Sequence, residues 1–352
     1  MSKYRIAYLT CTAALLGAGL GAAPEASAHP IHVVSPGESI QEAVDAAQPG
    51  DIVLLTPGTY RESVEVRTPG LTLRGMGRST VIEPGPDKAA NKCAEDGNGI
   101  CVTGTKERRL EDVTVASLAV TGFTGTGVSA FATDGLTVRN VIAVDNGVWG
   151  IAQERSVRSL FRQNTARDNG DAGLFLANTI KAEEGAMDTG GTVVEHNRLE
   201  GNRIGLTVRR LRNLTVANNH LTRNCAGMFV VGDENKPSAG ALTVRDNHID
   251  KNNKYCPEST RLPAIQGSGI VLTGAEDTLV ARNLITDNVG ASPLSGGIVV
   301  FKSLVGAATE RNRVSGNTLR GNAPADLVNT ETGQGNTFDG NHCSTSKPAG
   351  LC

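Results

Sequence analysis

Two series of asparagines, five residues apart within each unit and recurring along most of the chain, constrain this sequence more than any other feature. The unit reads V-x-x-N-x-φ-x-x-N, with φ aliphatic, and is followed after a short gap by G-φ-x-φ. The first asparagine is Asn164, Asn197, Asn219, Asn247, Asn283, Asn312 and Asn336. The second is Asn169, Asn202, Asn224, Asn252, Asn288, Asn317 and Asn341, and an earlier turn has Val141 in the first place and Asn146 in the second. The second series advances by 23, 33, 22, 28, 36, 29 and 24 residues, so the basic turn is 22 to 24 residues and the longer steps contain insertions. Repetition at such a period marks a solenoid.

Between the two asparagines lies an aliphatic residue (Ala166, Leu199, Leu221, Ile249, Ile285, Val314), and three before the first lies another apolar one (Phe161, Val194, Val216, Val244, Val280). Alternation on both sides predicts short strands with one buried face. Coils then stack in parallel about 4.8 Å apart, and an asparagine at the same place in each coil passes side-chain hydrogen bonds up the stack. Asparagine also tolerates the left-handed backbone of a sharp corner. The expected class is all-β: a single-stranded right-handed parallel β-helix. The ladders are scaffold in this reading. Ser39 to Gln48 reads as a short capping helix over the N-terminal end, with Ser39 as N-cap, Glu42 completing a capping box and Ile40, Ala43, Val44 and Ala47 as its apolar stripe. The loop between Cys343 and Cys352 is expected to close the other end.

The first residues bear on compartment. Lys3 and Arg5 precede an apolar stretch from Ile6 to Leu20, and Ala26-Ser27-Ala28 forms a small-x-small cleavage site. This is the pattern of a secretory signal peptide, so 1–28 is read as leader and 29–352 as one secreted, extracellular domain. The apolar run is shorter than the ~20 residues that span a bilayer. Cleavage would remove Cys11 and leave Cys93, Cys101, Cys225, Cys256, Cys343 and Cys352. An even count in an exported protein reads as three disulfides, for which sequential pairing is the expectation among fifteen connectivities. A net charge of −2 without a basic tract argues against nucleic acid as a partner. No membrane partner is expected, and the chain reads as a monomer. Forty-two glycines and only 3% aromatic residues suit many short strands joined by tight turns.

Val34-Ser35-Pro36-Gly37-Glu38-Ser39-Ile40-Gln41-Glu42-Ala43-Val44, then Pro49-Gly50-Asp51-Ile52-Val53, Pro57-Gly58-Thr59-Tyr60 and Leu71-Thr72-Leu73-Arg74-Gly75, resemble the opening of bacterial pectin-lyase-like β-helix proteins. With the repeats, the resemblance covers nearly all of 29–352. It implies the fold. That superfamily holds pectate lyases, pectin methylesterases, polygalacturonases, alginate epimerases and the accessory proteins of nitrous oxide reductase, so activity must be sought signature by signature. The sequence has neither the Asn-Thr-Asp and Gly-His-Gly set of a polygalacturonase, nor the Asp-Pro-His-Asp of an alginate epimerase, nor a methylesterase aspartate pair.

The G-φ-x-φ strands indicate where ligands would sit. Their outward column holds Ala152, Phe175, Thr207, Phe229, Val271 and Val299, which is apolar for a solvent face. Insertions at Asn178–Gly191, Gly232–Gly240 and Asn253–Gly267 flank it. Together they predict either a groove for an elongated ligand, with Phe175, Thr207, Phe229 and Val271 on its floor, or a cover over those side chains. Cys225 to Cys256 would pin one wall. Lyase chemistry needs positive charge at a uronate carboxylate, and Arg209, Arg210 and Lys181 are the candidates; Glu183 and Glu184 lie beside them. Asp145 and Asp168 occupy equivalent corners of adjacent coils with Asp171 close by, oxygen ligands suited to Ca2+. The plainer reading of these aspartates is corner chemistry. His220 and His248 follow equivalent ladder asparagines, with Arg198 one coil before, and would stack as a two-imidazole pair for a transition metal. Trp149 and Tyr255 are the only large aromatic platforms outside the N-terminal region, so sugar binding by aromatic stacking has little support in the sequence. Two functions follow: a secreted protein that binds or cleaves polysaccharide or cell-surface glycan by lyase or hydrolase chemistry, or a non-catalytic β-helix interaction module.

Overall fold

The computed structural model describes residues 6–7, 29–86, 91–259, 262–303, 305–331 and 333–352. The expected cleavage site at Ala26-Ser27-Ala28 lies outside them. Of residues 1–28, only Ile6–Ala7 is described, as a strand antiparallel to Ile31–Val34. No helix among the described residues is long and apolar enough to cross a membrane.

Three long sheets run the length of a coiled chain, and apart from the pairing of Ile6–Ala7 their strand pairs are parallel. Each coil contributes one strand to each sheet. The first carries the column Val138, Phe161, Val194, Val216, Val244, Val280, Val314; the second carries Ala143, Ala166, Leu199, Leu221, Ile249, Ile285, Leu319. The third is built from the G-φ-x-φ strands, with Ile151, Leu174, Leu206, Met228, Ile270 and Ile298 in register. These side chains are at most 1% exposed and form one continuous core. Each contributes roughly 1.5–3 kcal/mol of burial for the larger aliphatics.

Asparagine ladders run between the sheets, buried and satisfied. Asn169 shows the pattern: its backbone N–H and its Nδ2 both donate to Asn202 Oδ1 at 3.0 Å, and Nδ2 also donates to Ala143 O at 3.2 Å. One ladder runs Asn164, Asn197, Asn219, Asn247, Asn283, Asn317, Asn341. The other runs from Asn146 through Asn169, Asn202, Asn224, Asn252 and Asn288 to Asn322. It ends on Asp326, whose Oδ1 accepts from Asn322 Nδ2 at 2.9 Å where a further asparagine would stand.

Two expectations about the ladders are corrected. Asn283 pairs with Asn317 and Asn288 with Asn322, so the expected step of 29 is one of 34, and Leu319, not Val314, lies between the ladders. Asn312 and Asn336 form a separate short ladder below Thr278, at the corner leading into the first sheet. Asn312, Asn317 and Asn322 are equally spaced, so the motif fits this stretch in two registers, and only stacking on the preceding coil chooses. The left-handed residue of each corner is also not the ladder asparagine but the one before it: Gln163, His196 and Asn218 in one ladder, Asp145, Asp168 and Arg223 in the other, all with φ near +55°. Non-glycine residues held there cost about 1 kcal/mol or more each. The hydrogen-bonded asparagine that follows over-determines them.

The glycine that opens most third-sheet strands follows from the same packing. A Cβ on Gly205 would meet Gly227 O at 2.6 Å and Asn224 Nδ2 at 3.1 Å. The ladder and the next coil leave no room for it.

At the N-terminal end the helix spans Ile40–Ala46, shorter than expected. Ser39 Oγ accepts from Glu42 N, and the Glu62 carboxylate from the next coil accepts from the N–H groups of Ile40 and Gln41. Ile40, Ala43, Val44 and Ala47 are buried against the end of the core. At the other end, Phe338, Cys343 and Leu351 pack on the core. The disulfides are Cys93–Cys101, Cys225–Cys256 and Cys343–Cys352, the sequential pairing.

Candidate functional site

The outward column of the third sheet is Ala152, Phe175, Thr207, Phe229, Val271 and Val299, in register on successive coils. It is not left to solvent. Ala152, Phe175, Phe229, Val271 and Val299 join Cys225, Cys256, Ile265 and Leu294 in a second apolar cluster, outside the solenoid and separate from its core. Phe229 is 2% and Val271 0% exposed. The insertions cover part of this face and leave a cavity beside the covered part. A cavity of about 520 Å3 remains, walled by Ile180, Lys181 and Glu183 of the first insertion, Gly232, Asp233 and Glu234 of the second, and Leu262 of the third. Phe175, Thr207, Phe229 and Val271 all line it.

The walls are held by identifiable contacts. Cys225–Cys256 ties the third insertion to a ladder corner, and Cys256 also pairs through its backbone with Ile265. The first insertion is shorter than expected. Met187–Glu195 is a strand of the first sheet with an irregularity between Asp188 and Thr192, so only 178–186 leaves the coil. Arg210 is 4% exposed and ion-paired with Asp233, and its Nη1 donates to Thr179 Oγ1 at 3.2 Å and to Ala182 O. It staples the first insertion to the second. Arg209 is half-buried at the cavity margin, Nη1 lying 3.4 Å from Ile180 O, and Lys181 is exposed there. Behind the second insertion, Arg212 donates to Ser238 O and lies 2.7 Å from Glu276 Oε1, while Arg311 lies 2.8 Å from Glu276 Oε2. Burial by itself would raise the Glu276 carboxyl, but the two guanidinium groups outweigh it and hold that carboxyl below its ordinary value.

Trp149 stands at one end of the cavity. Its ring stacks on Phe175 with centroids 4.3 Å apart and planes at 16°, and its Nε1 donates to Asp171 Oδ2 at 3.0 Å. Asp171, expected beside Asp145 and Asp168, thus orients an indole. Asp145 and Asp168 are exposed left-handed corners on adjacent coils, and Asp168 Oδ2 lies 2.9 Å from Arg167 Nη1. Among the described residues, the one trio of histidine, cysteine or acidic side chains whose ligand atoms lie within 4.8 Å of one another is His220, His248 and Asp250. Tyr255 is 63% exposed and does not line the cavity. Leu294, Phe301, Ser303 and Val305 line it without having been singled out from the sequence. Phe301 was legible, as it ends the strand Gly296–Phe301 next to the outward Val299.

Comparison with known proteins agrees with this architecture. A family model described as a right-handed beta helix region matches residues 89–241, and one described as periplasmic copper-binding protein (NosD) matches residues 178–350. No curated protein matches the sequence. Among similar solved structures is the A-module of the mannuronan C-5 epimerase AlgE4 of Azotobacter vinelandii, 20% identical, with 88% of this chain and 91% of that one covered and a TM-score of 0.58. Another is the DFA-IIIase of Arthrobacter chlorophenolicus A6, without its lid and in complex with GF2, at 15% identity, 87% and 82% coverage and a TM-score of 0.60. At these identities the likeness concerns the fold. The chain is a right-handed parallel β-helix repeat protein.

Proposed function

We propose that this protein is an exported, glycan-binding β-helix that holds a saccharide unit in the cavity over the third sheet. The observation that carries the reading is Trp149: an indole fixed by Asp171 and by stacking on Phe175 at the cavity end offers a rigid apolar face to sugar C–H groups. The cavity size is that of a small-ligand site. Thr207, between Phe175 and Phe229 on the cavity floor, holds a buried hydroxyl without a protein hydrogen-bond partner. Lys181 and Arg209 place positive charge at the margin, where a uronate carboxylate would be met, and Arg210 acts as the positioning residue that holds both insertions. Two of the similar structures are named as a mannuronan epimerase and a DFA-IIIase, which supports a carbohydrate ligand.

Binding is favoured over cleavage because two of the four acidic residues that line the cavity are committed to structure, Asp233 to Arg210 and Asp171 to Trp149, which leaves Glu183, 3.8 Å from Arg210 Nη2, and Glu234 on its walls. The test is a thermal-shift and calorimetric screen of the purified protein against uronate and neutral oligosaccharides. It is run with and without chelator, alongside assays for unsaturated products and new reducing ends. Saturable binding without turnover, weakened about tenfold by Trp149→Ala, is expected. Equal binding by Trp149→Ala, or turnover by the unmodified protein, overturns the reading.

A further inference from the structure

The outward face of the second sheet, on a different side of the coil from the cavity, carries a separate constellation. His220 and His248 are in register on neighbouring coils, their rings parallel within 5° and 4.7 Å apart. Asp250 lies two residues after His248 on the strand His248–Asp250 and so shares its face. Its Oδ1 is 2.7 Å from His220 Nε2 and 3.9 Å from His248 Nε2. We propose that His220, His248 and Asp250 bind a divalent transition ion of the Zn2+, Ni2+ or Cu2+ class.

The donors decide the class. Two imidazoles and one carboxylate suit borderline divalent ions, whereas Ca2+ and Mg2+ take oxygen cages. Metal–nitrogen bonds of about 2.0–2.1 Å put the ligands of one ion roughly 3–4 Å apart. The three groups, within 4.8 Å of one another, reach that spacing by small rotations, and His220 and His248 have the exposure to make them. Backbone placement is already set, because each histidine directly follows a ladder asparagine, Asn219 or Asn247. The remaining coordination positions face solvent and would be filled by water.

Arg198, one coil earlier, tunes the site. Its Nη1 lies 3.0 Å from His220 Nδ1. A guanidinium only donates, so Nδ1 accepts and the His220 proton sits on Nε2, from which it is donated to Asp250. An ion bound at Nε2 moves that proton to Nδ1, which the Arg198 contact opposes. Arg198 keeps Glu200 as partner when it swings away, its Nε being 2.8 Å and its Nη2 2.7 Å from Oε2. Arg198 therefore weakens binding without being a ligand.

Titration calorimetry of the tag-free protein with Zn2+, Ni2+ and Cu2+ salts should show one ion per chain, with Cu2+ bound most tightly. His248→Ala and Asp250→Asn should each weaken binding at least tenfold, and Arg198→Ala should tighten it severalfold. In the unmutated protein, Zn2+ should shift the ring NMR signals of His220 and His248 and leave those of His29, His32, His196 and His342 in place. This readout stands even where a variant fails to fold. Absence of saturable binding, full retention of affinity by His248→Ala, an unchanged affinity in Arg198→Ala, or shifts confined to the other histidines overturns the proposal.

Discussion

The asparagine corners and the outer face of the third sheet are made by the same repeat, yet they behave oppositely along the stack. At a corner successive coils from Asn146 to Asn322 present the same residue, and each Oδ1 accepts from the preceding coil while Nδ2 donates onward, so that Asn202, Asn224, Asn252 and Asn288 are all 0% exposed and fully bonded. On the outer face the residue changes from coil to coil, Ala152 to Phe175 to Thr207 to Phe229, and insertions of unequal length surround it. Identity along the stack produces a hydrogen-bonded spine with nothing left to offer a ligand. Variation produces a cavity. In a solenoid, chemistry collects where the repeat departs from itself.

Several substitutions would break or sharpen that contrast. The largest effect is expected at the spine. Asn224→Ala leaves the Asn202 N–H and amide without their acceptor in a fully buried place, and should lower stability by about 3–5 kcal/mol, read by urea unfolding. A loss under about 1 kcal/mol would mean that the sheets hold the corner without the ladder. Next comes the wall of the cavity. Removing Cys225–Cys256, as Cys225→Ser with Cys256→Ser, opens a 31-residue loop and should lower stability by about 3 kcal/mol. Amide exchange should then rise in 253–267 while the ladder coils stay protected.

A smaller effect belongs to the charges behind the second insertion. Folding lowers the Glu276 pKa, so its contribution is present above the ordinary value of 4.5 and is lost as the pH falls through the lower folded-state value. Glu276→Gln should cost about 1 kcal/mol at neutral pH and flatten the acid limb of the stability curve below that value. An unchanged acid limb would remove Glu276 from the account. The smallest stability effect is expected from Trp149→Ala, a half-exposed side chain outside the main core. Its melting temperature should fall by only a few degrees while saccharide binding drops, separating ligand platform from scaffold.

Most of the architecture was legible because strand alternation and ladder spacing are local patterns. The buried columns, the glycine-led strands, the capping helix and the apolar outer face all follow from them. The misreading at Asn312 shows the limit. Three asparagines at equal spacing satisfy the motif in two frames, and the energy that chooses between them is the pairing of Val314 on Val280 and Leu319 on Ile285, contacts made across an insertion. The corner geometry had a similar limit, since side-chain preference points to asparagine for the left-handed position while the backbone places the preceding residue there. Asp250 was within reach, because alternation puts it beside His248.

The sequence by itself determined the coil, its register through most of the stack, and the face on which the repeat is interrupted, since each of these rests on residues a few positions apart. Only the tertiary structure decided that Arg210 is a buried staple on Asp233, that Asp171 orients Trp149, and that Leu294 joins Phe229 in one apolar cluster against which Leu262 and Phe301 pack. Asp233 and Leu262 belong to insertions of unrelated length and composition, and the other residues to the coils beneath them. The periodicity stacks Asp171 on the coil of Trp149 but does not say which side chains meet there, and it says nothing of the loops, whose meeting is settled by how they pack once the ladders have stacked the coils.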